Sequence, residues 1–188
     1  MTDQELEGFA AQAFNLARTE LKTKGKFNFL LANYFDGKLH RMTKVEALII
    51  EKCGEDWLNS SAKKHAVSDV LRIATKAMPP EAVVLVTIAD RWKTTQAFES
   101  VPKTEREKIL SGPREARQAA TELGLLEAEE VMIAVAQTPK RVCFYTRQLS
   151  RLEDTKPQVE TGDMATFEGA MKLYGEPEYG EPAHGDVR

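Results

Sequence analysis

The sequence predicts an α+β protein: a mixed, mainly antiparallel five-stranded sheet with helices mostly on one face. Three observations lead there. Residues 82–89 are an unbroken apolar run between Pro79-Pro80 and Asp90-Arg91-Trp92, the pattern of a central strand buried on both faces. Two pairs of strand-like segments flank it, each joined by a short turn. Helical periodicity is too sparse for the strict strand–helix alternation of an open α/β sheet, which is the alternative architecture.

The elements follow in chain order. Thr2 and Glu5 make a capping box, and Leu6, Phe9, Ala10, Ala13, Phe14, Ala17 and Leu21 recur at three- and four-residue spacing. An amphipathic helix therefore opens the chain and ends at Gly25. Asp36-Gly37 predicts a hairpin of strands at 27–35 and 38–43, because such a turn needs positive φ at both positions. Residues 44–58 read either as a helical turn carrying Val45, Leu48 and Ile49 or as a strand over 47–50, with Gly54 and Trp57 beyond. From Asn59 or Ser60 a helix carries the stripe Ala66, Val67, Val70, Leu71, Ala74, Ala77 and Met78, and stops at Pro79-Pro80.

The central strand, 82–90, comes next. Residues 93–128 form a long helical excursion with short helices over 104–110 and 113–123, Pro113 starting the second and Gly124 ending it. Its length exceeds an ordinary connection. Strands at 130–137 and 141–149 make a second hairpin around Thr138-Pro139-Lys140. Residues 1–151 thus read as one α+β domain and 152–188 as an extended or partly helical tail. In that tail Met164, Phe167, Met171 and Leu173 or Tyr174 seek a groove.

Bulk properties exclude several classes. The chain has 188 residues, 42% hydrophobic and 29% charged, which is ordinary globular material. Its net charge of −3 exerts no global pull on nucleic acid. No apolar stretch approaches the roughly 20 residues that span a bilayer, and the acidic start lacks the features of a secretory signal. Cys53 and Cys143 lie far apart without CxxC spacing and read as reduced thiols. The expectation is a cytoplasmic protein with no membrane contact.

Candidate chemistry is thin. Asp90, Arg91 and Trp92 sit at the carboxyl end of the central strand, where open sheets tend to bind ligands. A carboxylate there suits a general base, a metal ligand or a turn acceptor, and Trp92 suits a stacking platform or a cap on the core. His40, His65 and His184 stand apart with no metal-ligand spacing, so no metal is expected. A hydrolase-type pairing of Asp90 with His40 or His65 depends on the fold bringing them together. Glycine-rich phosphate loops are absent, and no cofactor is expected.

The last predicted strand carries Arg141, Cys143, Tyr145, Arg147, Leu149 and, if it runs on, Arg151 on one face, with Val142, Phe144 and Thr146 on the other. Arginines interleaved with an aromatic ring are what single-stranded nucleic-acid binders use. The same arginines equally suit an edge strand guarded against pairing.

An aliphatic strand ending in Ala89-Asp90-Arg91-Trp92, then an insert and a strand hairpin, resembles uncharacterised conserved hypothetical proteins of bacteria and phages. Those proteins carry Glu-Ala-Trp at the corresponding place, and the likeness spans residues 27–150. It implies a small accessory protein of bacterial, phage or mobile-element origin. The sequence points to a non-catalytic protein-interaction module, with a homodimer as the expected state. Single-stranded nucleic-acid binding and hydrolysis are the alternatives.

Overall fold

Local signals build the first helix and the first turn. The computed structural model describes residues 1–77, 80–154, 156–166 and 173. Helix α1 (Asp3–Lys24) begins at the capping box, with Glu5 N–H donating to Thr2 Oγ1 at 3.2 Å and Thr2 N–H to Glu5 Oε2 at 2.6 Å. It ends where Gly25 turns left-handed at φ 68°. Strands β1 (Phe29–Phe35) and β2 (Lys38–Arg41) meet at Asp36 and Gly37, with φ of 50° and 70°.

The chain continues through α2 (Thr43–Cys53), a 3₁₀ turn (Trp57–Asn59) and α3 (Ser61–Ala77) to β3 (Ala82–Thr94). The segment 44–53 is thus helical, not a strand; Met78 and Pro79 lie outside the described residues. Then come α4 (Gln96–Glu99), α5 (Lys103–Ser111), α6 (Arg114–Glu122), β4 (Leu126–Gln137), β5 (Arg141–Gln148) and β6 (Gln158–Asp163).

The class is α+β, and the sheet order is β2-β1-β3-β4-β5-β6 with every neighbouring pair antiparallel. Three expectations need correction. The sheet has six strands: β6 lies in the region read as tail, and its polar sequence, with Val159 the one aliphatic residue, hides it. Backbone pairing to β5 holds it in place. No parallel pair occurs among the described strands. The excursion is shorter than 93–128, because β3 runs on to Thr94 and β4 already begins at Leu126.

Helices also cover both faces, whereas one face was expected. On the first, Ala10, Ala13 and Ala17 of α1 let the helix lie close over Ala32, Ala134 and Ala136, with Phe9 and Phe14 filling the margins. On the second, α2, the 3₁₀ turn and α3 pack Ile49, Trp57, Val67 and Leu71 on Phe29, Leu31, Val83 and Leu85. That second cover stops short. Register carries the row Leu31–Leu85 on to Val135 and Phe144, and the row Phe29–Thr87 on to Ile133 and Thr146. These four residues are half-buried, and no described helix packs on them.

The central run behaves as its composition demands. β3 is flanked by β1 and β4, and Ala82 to Val86 are at most 5% exposed. Ala89 emerges at the surface. Helices α4–α6 form a small cap of their own at the far end of the β3–β4 hairpin, around Phe98, Ala120 and Leu126, with Trp92 packed against them.

Candidate functional site: a cleft on the free edge of β3

β1 pairs with β3 only as far as Thr87, while β4 follows β3 to Thr94. Residues 88–94 therefore have an open edge on the β1 side. Which groups face it follows from the ladder. Leu31 turns its carbonyl to β2, accepting from Met42 N–H at 2.8 Å, so its neighbours Leu30 and Ala32 face β3 and their partners Val86 and Val84 face β1. Thr95 N–H donates to Leu125 O at 3.1 Å, toward the β4 side. By alternation Asp90 and Trp92 turn their N–H and C=O groups to the open edge. Among the described residues nothing bonds them there.

A cleft of about 790 Å³ lies along this edge. Leu58 and Lys64 form one wall, the α5–α6 turn from Gly112 to Arg117 forms the other, and Leu85, Val135 and Phe144 line the floor. Leu173 closes one end. A shallower groove of about 590 Å³ continues from it over Ile133, Thr146 and Val159, on the part of the second face that no described helix covers.

The α5–α6 wall is held by one arginine. Arg117 lies over the Trp92 ring, its Cζ 4.7 Å from the centroid, and its Nη1 donates to Leu110 O and Gly112 O, each at 3.0 Å. Gly112 is required by space, since a Cβ there would come within 2.5 Å of Lys108 O. Arg114 pairs with Asp90 across the mouth. Two nitrogens in this wall, Trp92 Nε1 and Arg117 Nε, are buried and have no partner among the described residues.

Asp90, Arg91 and Trp92 thus end up at one place, with Arg91 reaching over the second face to Gln158 of β6. The histidines do not join them. His40 on β2 and His65 on α3 are exposed, and neither lines the cleft that holds Asp90. His184 lies outside the described residues. No group of three or more potential metal ligands occurs among the described side chains.

The arginine stripe was placed on one face by alternation, and that face is the one α1 covers. Tyr145 is 8% exposed, and its ring meets Phe14 at 5.2 Å between centroids. Arg141 binds Asp3 at the start of α1, with Nε 2.9 Å from Oδ1, and Asp163 of β6 at 2.7 Å. Arg147 donates to Leu152 O at 2.7 Å, and Arg151 is also engaged. Tyr145 therefore offers no open ring for a base to stack on, and Arg141 is committed to ion pairs.

Sequence reasoning missed Arg114, Arg117 and Lys64 as companions of Asp90 and Trp92. Their spacing to β3 is long-range, and no local pattern signals it. The cleft has the properties of a peptide site: unpaired backbone groups on a strand edge, an apolar floor and a charged rim. No helix among the described residues is long and apolar enough to cross a membrane. No protein-family model, curated protein or solved structure matches this chain.

Proposed function

We propose that this chain is a non-catalytic interaction module that takes an extended protein segment along the free edge of β3. The observation that carries the reading is the set of backbone groups at Asp90 and Trp92 that no described residue bonds, facing a cleft of about 790 Å³. Main-chain hydrogen bonds would supply affinity, and pockets for alternate side chains would supply specificity. A segment donated by a second copy through the same edge yields a homodimer. Two buried, unpaired thiols, Cys53 and Cys143, suit a reducing compartment, so the reading sets the module in the cytoplasm.

The test is a selection of displayed random peptides on the full chain, followed by titration calorimetry of the winners. Asp90→Pro removes one edge N–H and obstructs an incoming strand, while Asp90→Asn removes only the charge. Peptides that bind the wild type and the Asn variant, and lose at least tenfold in affinity on the Pro variant, support the reading. Winners that bind all three proteins equally, or a selection that yields none, would refute it.

A further inference from the structure

Resting on that reading, we propose that the first occupant of the cleft is the chain's own acidic C-terminal segment, residues 174–188, which holds the edge until a partner displaces it. The anchor is Leu173. It is 1% exposed, it lines the cleft, and its N–H donates to Gln137 Oε1 at 2.8 Å in a buried bond. The chain is therefore fixed at one end of the cleft with 15 residues still to follow.

Reach suffices. From Leu85 to Trp92 an extended strand advances roughly 23 Å, and 15 extended residues span up to about 50 Å. Charge matches as well. Residues 174–188 carry Glu176, Glu178, Glu181 and Asp186 against Arg188, so the whole net charge of −3 resides in this segment and the remainder of the chain is neutral. Around the cleft Lys64, Arg114 and Arg117 outnumber Asp90 and Glu115. A segment with excess negative charge thus meets a wall with excess positive charge.

The sequence of the segment also suits an edge. Pro177 lacks an N–H and is tolerated on an added strand wherever its nitrogen turns away from the partner, while Glu176 and Glu178 share the opposite parity and keep their donors. Pro182, on that same parity as Glu178, sets a limit to the pairing. Occupancy of this kind is autoinhibitory: an incoming peptide competes with a tethered one at high effective concentration.

Amide hydrogen exchange on the full chain tests the proposal. The wild type is compared with a triple variant, Glu176→Lys, Glu178→Lys and Glu181→Lys, which reverses the charge of the segment. The amides of Asp90 and Trp92 should be protected in the wild type and exchange at least tenfold faster in the variant. Raising the salt to about 1 M should reproduce part of that loss, because the Debye length then falls to roughly 3 Å. Lys64→Glu, an exposed change on the cleft rim, should restore part of the protection in the triple-variant background.

Equal exchange in wild type and variant would overturn the proposal. So would protection that rises with protein concentration, which would assign the occupant to a second copy. Failure here is distinct from failure of the peptide-binding reading. If selected peptides still protect Asp90 and Trp92 while the native C-terminal segment does not, only the tethered occupant falls. If no peptide ever protects them, the edge itself is not a binding site.

Discussion

Two strands of this sheet stop before their neighbours do, and the two vacated edges are handled in opposite ways. β2 ends at Arg41, which leaves the Leu31 N–H facing outward from β1. Glu46 of α2 fills the gap: its Oε1 accepts from Leu31 N–H at 2.7 Å and its two oxygens take Arg41 Nε at 3.1 Å and Nη2 at 3.0 Å. Arg41 also reaches Glu20, at 2.6 Å, which in turn holds Lys24. The carboxylate acts as the missing carbonyl of a strand. At β3 the chain beyond Thr87 has lost β1, yet among the described residues no side chain takes the place of a strand at Asp90 or Trp92. The closed edge is structural, and the open one is where the proposed segment would pair.

The contrast can be broken most sharply with proline. Val84 turns its N–H to β1 and is fully buried, so Val84→Pro removes a ladder bond in mid-sheet and should cost about 3 kcal/mol or more, enough to abolish folding in many domains. Asp90→Pro acts six residues along the same strand, where the N–H bonds nothing described. It should cost only about 1 kcal/mol, including the loss of the exposed pair with Arg114. Urea denaturation of both variants decides. Equal losses would mean that the β3 edge is not open.

Glu46 gives the second measurement. Its carboxylate is 10% exposed and Arg41 is one-third exposed. Glu46→Ala strands the Leu31 N–H and uncouples Arg41, and should cost about 2–4 kcal/mol, below the figure for a fully buried pair because water screens Arg41. Glu46→Gln keeps an acceptor for Leu31 and should lose about half as much. A Gln variant as unstable as the Ala variant would show that charge, not strand mimicry, matters at this edge.

How much of this was legible depends on range. The capping box of Thr2 and Glu5 and the Asp36-Gly37 turn are local chemistry, and both are present as expected. The strand at 82–90 was legible because an apolar run has few alternatives. β6 and the start of β4 were not, since Gln158, Glu160 and Asp163, or Glu127, Glu129 and Glu130, satisfy backbone pairing while showing no hydrophobic pattern. Alternation correctly grouped Arg141 with Tyr145. Nothing in β5 itself could say that α1 would cover that group and leave Phe144 on the opposite face half-buried. Glu46 was passed over because a carboxylate in an apolar helix looks like a surface residue until its partner 15 positions earlier is known.

The smallest expected effect concerns a closed seam on the covered face. Arg141 ties Asp3 at the head of α1 to Asp163 on β6, and its guanidinium holds the Asp3 carboxyl below the usual carboxylate range. A depressed folded-state pKa contributes stability that is present above the ordinary value near about 4 and disappears as pH falls through the lower, folded value. Arg141→Gln should therefore lower Tm at pH 7 by a few degrees at most. The gap to wild type should narrow below pH ~4 as Asp3 is protonated. Glu5, whose carboxyl is lowered by Thr2 and not by Arg141, titrates alike in the two chains and cancels. A gap that stays constant from pH 7 down to pH ~2 would mean that Arg141 holds α1 by packing its stem, with no contribution from the ion pair.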